Sequence, residues 1–200
     1  MCCVWILGLQ GKISNAVLKK LVHYLSVAAE VRGTDATGNC LRPERQHGHL
    51  RKSPSRLTRS SSSFPGTRER SSGTPGSRHK GSEKRNCNNH PFEGHCGKEA
   101  FALAHNGVLY NDKELRREQH LPPTPIETDS YIAVQLLEQE QNLDVENIKR
   151  MAELVEGSFV FTILRNDNTL FLVKGNNPLT LYQFSCTGII RLRQHKKHFG

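Results

Sequence analysis

Ala100-Phe101-Ala102-Leu103-Ala104-His105-Asn106-Gly107-Val108 is an apolar run that ends in a polar pair. Ala100–His105 has the length and composition of a strand, and Asn106-Gly107 favours positive φ, which predicts a turn directly after it. Cys3–Leu9, near the start of the chain, is short and apolar enough for a buried strand. Between the two, Ser14 is placed to cap a helix in which Leu18, Leu21, Val22, Leu25 and Ala29 recur at helical spacing, with Gly33 beyond its end. Downstream, the pattern predicts a helix over Asp129–Gln139 capped by Thr128. Another is predicted over Val145–Val155, capped by Asp144, with Val145, Ile148, Ala152 and Val155 on one face. Phe159–Leu164, Leu170–Val173 and Leu179–Phe184 then read as strands, separated by Asn166-Asp167-Asn168 and Gly175-Asn176-Asn177-Pro178. Helices lying between groups of strands predict an α+β fold, with helices stacked on antiparallel sheet.

Two hundred residues are the size of one ordinary domain. No apolar run is long enough for a membrane span, and Cys2–Leu9 lacks both the length and the basic flank of a secretory signal. A cytoplasmic setting with six free thiols is therefore expected. The net charge of +9 suggests a nucleic-acid binder until it is mapped. Residues 39–80 carry ten Lys or Arg against two acids, a net of +8, and 189–200 carry four and none. Removing those two islands leaves −3 for the remainder of the chain, so the basicity is local.

Asn39–Lys80 holds nine serines, four prolines and four glycines, with only Cys40, Leu41, Leu50, Leu57 and Phe64 apolar. Such a segment has too little to bury and is expected to be disordered. Its arginines could contact RNA phosphates, which makes a non-catalytic basic RNA-associated protein the alternative from another class. Phe64 is its only aromatic for base stacking, and nucleic acid is not the expected partner. Cys87, His90, His95 and Cys96 are zinc-ligand types, but adjacent His95 and Cys96 would have difficulty sharing one tetrahedral ion. No metal and no cofactor are expected.

A cysteine at position 2 has further potential. Once Met1 is trimmed, it carries a thiol and a free α-amine that titrates near pH ~8, so one residue can act as nucleophile and as base. Arg32-Gly33-Thr34-Asp35-Ala36-Thr37-Gly38, Ala104-His105-Asn106-Gly107-Val108 and Glu127-Thr128-Asp129 follow it in order. Over Gly11–Gly38 and Gly81–Gly188 the chain resembles the glutaminase domain of class II glutamine amidotransferases, which are N-terminal-nucleophile hydrolases. Asn88–Pro91 matches that family's Asn-x-His-Pro turn. The resemblance implies a four-layer αββα sandwich and hydrolysis of the glutamine side-chain amide through a Cys2 thioester. It implies that the Asn106 side chain and the Gly107 N–H form the oxyanion hole. Asp129 would hold the substrate α-ammonium, with Gly107 also against the substrate, and Arg32 and Gly33 would support the nucleophile. The released ammonia would go to a synthase domain or subunit. None follows within these 200 residues, so the domain is expected to be free-standing or C-terminally truncated.

Three departures from the family stand out. Cys3 replaces a glycine, and Gly73-Thr74-Pro75-Gly76 stands near the place of a Gly-His-Thr-Arg segment whose arginine would bind the substrate carboxylate. Arg191–Gly200 replaces the final strand. Written GGG-CAC-ACC-CGG and read one base along, Gly-His-Thr-Arg becomes Gly-Thr-Pro-Gly. Shifted frames are therefore the expected origin of 39–80 and of 190–200, and the chain as written is expected to be a poor glutaminase.

Overall fold

A computed structural model of the chain describes residues 85–184 without interruption. It also describes four further strands and the helical positions Ala16, Val17, Lys20, His23, Tyr24 and Val27. The strands are β1 (Leu7–Leu9), β2 (Thr37–Leu41), β3 (His49–Ser53), β4 (Phe92–Cys96), β5 (Glu99–Leu109), β6 (Gly157–Arg165), β7 (Leu170–Lys174), β8 (Leu179–Phe184) and β9 (Ile189–Gln194). The helices are α1 (Asp112–Glu118), α2 (Tyr131–Glu138) and α3 (Val145–Leu154). The strands form three antiparallel sheets, ordered β4-β5-β6-β7, β1-β9-β8 and β2-β3. The architecture is α+β, as expected.

Burial of α2 seats the helices on the four-stranded sheet. Ile132, Ala133, Val134, Leu136 and Leu137 are all buried, so this helix is enclosed almost all round. Each large aliphatic among them contributes about 1.5 to 3 kcal/mol relative to exposure. The one polar residue of that run, Gln135, is satisfied, because its Nε2 donates to the Pro122 carbonyl at 2.7 Å. Gly94 on β4 makes the close approach possible. A Cβ there would stand 2.4 Å from the Phe101 ring and 2.8 Å from Val134 Cγ1. At the end of β4, Cys96 buries its thiol against the C-terminal end of α2, with Sγ 3.0 Å from the carbonyls of both Leu137 and Glu140. Burial, with the Glu99, Glu140, Asp144 and Glu138 carboxylates nearby, pushes this thiol up to about 11.

Helix α3 follows its sequence pattern closely. The Asp144 carboxylate accepts the Asn147 N–H at 2.9 Å, the expected cap, and Ile148, Met151 and Val155 are buried. Val145, however, is 64% exposed and does not join that buried face. Helix α2 begins two residues later than predicted. Thr128 does not cap it; the N-cap position is Ser130, which makes no side-chain capping bond. The strands at 157–165, 170–174 and 179–184 stand where the pattern placed them.

Three expectations are corrected by the backbone pairing. Asn106-Gly107 is not a turn: β5 continues through it to Leu109, with Asn106 opposite Val160 and Gly107 opposite Phe159. The nine-residue pairing with β6 outweighs the local preference of the dipeptide. The basic segment, expected to be disordered from Asn39, instead contributes to a hairpin in which Thr37–Leu41 pairs with His49–Ser53. The final strand, expected to be lost with Arg191–Gly200, is present as β9 and lies between β1 and β8. Ladder hydrogen bonds use backbone groups alone, so a charged, low-apolar sequence can still fill a strand. Residues 54–80, the apolar stripe Leu18, Leu21, Val22, Leu25 and Ala29, and the start of the first predicted strand lie outside the described residues. The helical positions between 16 and 27 that are described are the exposed ones, among them Val17, Tyr24 and Val27.

Candidate active site

The C-terminal half of β5 carries Asn106 and Gly107, the expected oxyanion pair. Along this strand Phe101, Leu103, His105 and Leu109 are buried on one face, where the helices pack. Strand alternation sends Asn106 to the other face. Asn106 is itself buried, and its carbonyl accepts a 2.9 Å bond from Asn177 Nδ2 in the loop between β7 and β8. Among the described residues, none hydrogen-bonds the Asn106 side-chain amide. Gly107 holds φ at +153°, and a Cβ there would meet the Ser158 carbonyl oxygen at 1.8 Å and His105 Nε2 at 2.8 Å. Only glycine fits this position, for conformational and steric reasons alike.

Asp129 is brought to the same place by the turn before α2. Its Oδ2 accepts the Leu109 N–H at 2.7 Å, two residues beyond Gly107. The charged acceptor makes this among the stronger hydrogen bonds of the region. Among the described residues, none hydrogen-bonds the second Asp129 carboxylate oxygen, which can face a cation. The structure therefore sets Asp129 against Leu109, two residues along β5 from Gly107 and three from Asn106. Cys2, Arg32 and Gly33 lie outside the described residues.

Two supporting features were not read from the sequence. The first is a clamp between the 88–91 turn and the 127–129 turn. Asn88 Oδ1 accepts the Glu127 N–H at 3.0 Å, Asn88 Nδ2 donates to Glu127 Oε2 at 3.1 Å, and Arg85 bonds Glu127 Oε1 at 3.0 Å. The Arg85 contact is exposed and contributes little. The second is His105, which is 1% exposed. Its Nδ1 shares a 2.7 Å hydrogen bond with Ser130 Oγ, and its backbone N–H donates to His90 Nδ1 at 3.4 Å. Its Nε2 has no partner of hydrogen-bond geometry among the described residues. Burial holds the ring far below the ordinary imidazole range, down to about 4, against the pull of the Asp129 charge and the Ser158 carbonyl. It is neutral at pH 7. Both features sit beside motif residues, and that adjacency was the available signal.

The cysteine and histidine group near position 90 disperses in the fold. Strand β4 sets exposed His95 and buried Cys96 on opposite faces. Among the described residues, no three His, Cys, Asp or Glu side chains converge where an ion could sit. No helix among the described residues is long and apolar enough to cross a membrane.

Residues 80–187 match the family model described as "Glutamine amidotransferase domain", and the chain belongs to that family of enzymes. Glutamine–fructose-6-phosphate aminotransferase (isomerizing) of Bacillus subtilis is 33% identical over 99 residues, which cover 46% of this chain and 16% of that protein. The enzyme of the same name from Lactococcus lactis is 28% identical over 124 residues, 56% of this chain and 20% of the other. The chain thus matches only about a sixth to a fifth of the length of these relatives. Among solved structures, the glutamine phosphoribosylpyrophosphate amidotransferase of B. subtilis superposes with a TM-score of 0.66 at 17% identity. That superposition covers 94% of this chain and 41% of the other. The likeness establishes the fold, the αββα type of N-terminal-nucleophile hydrolases that the sequence motifs imply.

Proposed function

We propose that this domain hydrolyses the side-chain amide of glutamine, with Cys2 as nucleophile, and delivers the ammonia to an acceptor. The observation that carries the reading is the anchoring of Asp129 on Leu109, at the same end of β5 as Asn106 and Gly107. In the proposed reaction the α-amine of Cys2, freed by removal of Met1, takes the thiol proton as Sγ attacks the amide carbon. The developing oxyanion is met by Asn106 Nδ2 and the Gly107 N–H, a kind of donor pair whose individual members typically supply about 3 to 4 kcal/mol. The same amine then protonates the leaving nitrogen, ammonia departs, and water hydrolyses the glutamyl thioester to glutamate. Asp129, anchored through Oδ2, receives the substrate α-ammonium on its other oxygen. Arg32 and Gly33 support the backbone around the nucleophile.

The acceptor, by analogy with relatives named as aminotransferases and amidotransferases, is a phosphorylated sugar-type substrate held by a synthase domain or subunit. The reaction is proposed for the cytoplasm, where the thiol stays reduced. The test is ammonia release from glutamine together with labelling by a glutamine-like electrophile. Peptide mass mapping should find the label on Cys2 and not on Cys3, Cys87 or Cys96. Equal labelling of all four would refute the assignment.

A further inference from the structure

The oxyanion residues are bracketed. On one side of Asn106-Gly107, His105 Nδ1 is bonded to Ser130 Oγ at 2.7 Å; on the other, the Leu109 N–H is bonded to Asp129 Oδ2 at 2.7 Å. Both bonds cross from β5 to adjacent residues of one turn, so the strand is sewn to that turn at two points four residues apart. The His105 ring fills the space between. It packs at 4.8 Å on Phe161, its Nε2 lies where a side chain on Gly107 would stand, and Ser130 is only 4% exposed. Neither His105 nor Ser130 reaches the open face of the strand, and the proposed chemistry uses neither.

Resting on the glutaminase reading above, we infer that His105 and Ser130 are positioning residues that fix the span between the oxyanion donors and the Asp129 carboxylate, and so select the length of the amino-acid amide. Glutamine has to reach from Asp129 to Asn106 and Gly107 at once. Asparagine is one methylene shorter and cannot do both if the span is rigid. A methylene in a well-fitted site discriminates by roughly 10- to 200-fold, and displacement from reactive geometry by about 1 Å costs about 100-fold in rate. Both effects require the two ends of the site to be held at constant separation. The buried pair supplies that constraint, because a buried hydrogen bond in a dry, packed setting has few alternative partners.

The experiment compares the full chain with Ser130→Ala and Ser130→Thr, measuring ammonia release from glutamine and from asparagine, amide hydrogen exchange at His105 and Leu109, and the thermal midpoint. Ser130→Ala is expected to lower kcat/KM for glutamine about tenfold and to narrow the glutamine-to-asparagine ratio by a similar factor. Exchange at Leu109 should quicken with it. Ser130→Thr, which keeps the hydroxyl, should restore the ratio. An unchanged ratio and unchanged exchange in Ser130→Ala would overturn the inference. So would equal losses in both variants accompanied by a fallen midpoint, which would mark a packing role. A parent chain that releases no ammonia refutes the glutaminase reading instead. In that case faster exchange confined to His105 and Leu109 in Ser130→Ala still upholds the pair as a positioning device, and unchanged exchange removes it too.

Discussion

The two ends of β5 are held in different ways. At its start, Glu99 meets Arg165 of β6 at 3.1 Å and accepts the Leu143 N–H at 2.6 Å, while Arg165 also donates to the Leu143 carbonyl. These side chains are partly open to water, so the arrangement tolerates loss. At its other end, the neutral His105–Ser130 pair lies inside the core, beside the partly buried Asp129 bond to Leu109. Charged groups at the rim tie the strand to its neighbours. Buried groups at the far end fix its geometry where the chemistry is proposed. The lesson is that one strand can be tolerant in its first half and exacting in its second.

That contrast can be broken most severely at Gly107. Gly107→Ala puts a methyl group 1.8 Å from the Ser158 oxygen on a backbone that L side chains rarely adopt, so one of β5 and β6 must move. We expect a stability loss of about 4 kcal/mol or more by urea denaturation, with glutamine hydrolysis reduced beyond about 100-fold. Leu103→Ala tests the middle of the strand, where the side chain is fully buried. A loss of about 2 to 5 kcal/mol is expected, and the glutamine-to-asparagine ratio of the folded protein should stay unchanged. A shift in that ratio would blur the boundary between the two halves.

A subtler probe is pH. The folded protein holds His105 neutral down to about 4, whereas the unfolded chain takes up the proton near 6.5. Stability due to this group is thus present above pH 6.5 and lost as pH falls toward 4, by on the order of 3 kcal/mol. Urea midpoints measured from pH 7 to pH 4 should fall less steeply in His105→Asn than in the parent; parallel curves would contradict this. The smallest effect is expected at the rim. Glu99→Gln should cost about 1 kcal/mol or less, because its pair with Arg165 is partly screened by solvent.

Much of this was legible beforehand, and the gaps have physical causes. Helix α3 announces itself through Asp144 and the spacing of Ile148 and Val155, because capping and periodicity are local properties. Helix α1, Asp-Lys-Glu-Leu-Arg-Arg-Glu, does not, since Leu115 is its only buried apolar residue and no stripe forms. Asn106-Gly107 was read as a turn because a dipeptide carries no record of its partner strand. Strand β9 was missed for a related reason. Ile190 and Leu192 do alternate with Arg191 and Arg193, yet the basic residues around them masked a period of two. At the candidate site, ordered motifs point to Asn106, Gly107 and Asp129. His105 and Ser130 stood inside those same motifs but gained a role only from a contact 25 residues apart.

The buried thiol at the end of β4 has a practical consequence. Cys96 is sealed between β4 and the last turn of α2, and its proton is held far above the range in which thiols attack electrophiles. It stays silent while the seam is closed and becomes a normal, alkylatable cysteine when the seam opens. The domain therefore contains its own clock for subglobal opening: the slow alkylation of Cys96 by an added thiol reagent, timed in native buffer without any mutation, reads how often the helix lifts from the sheet.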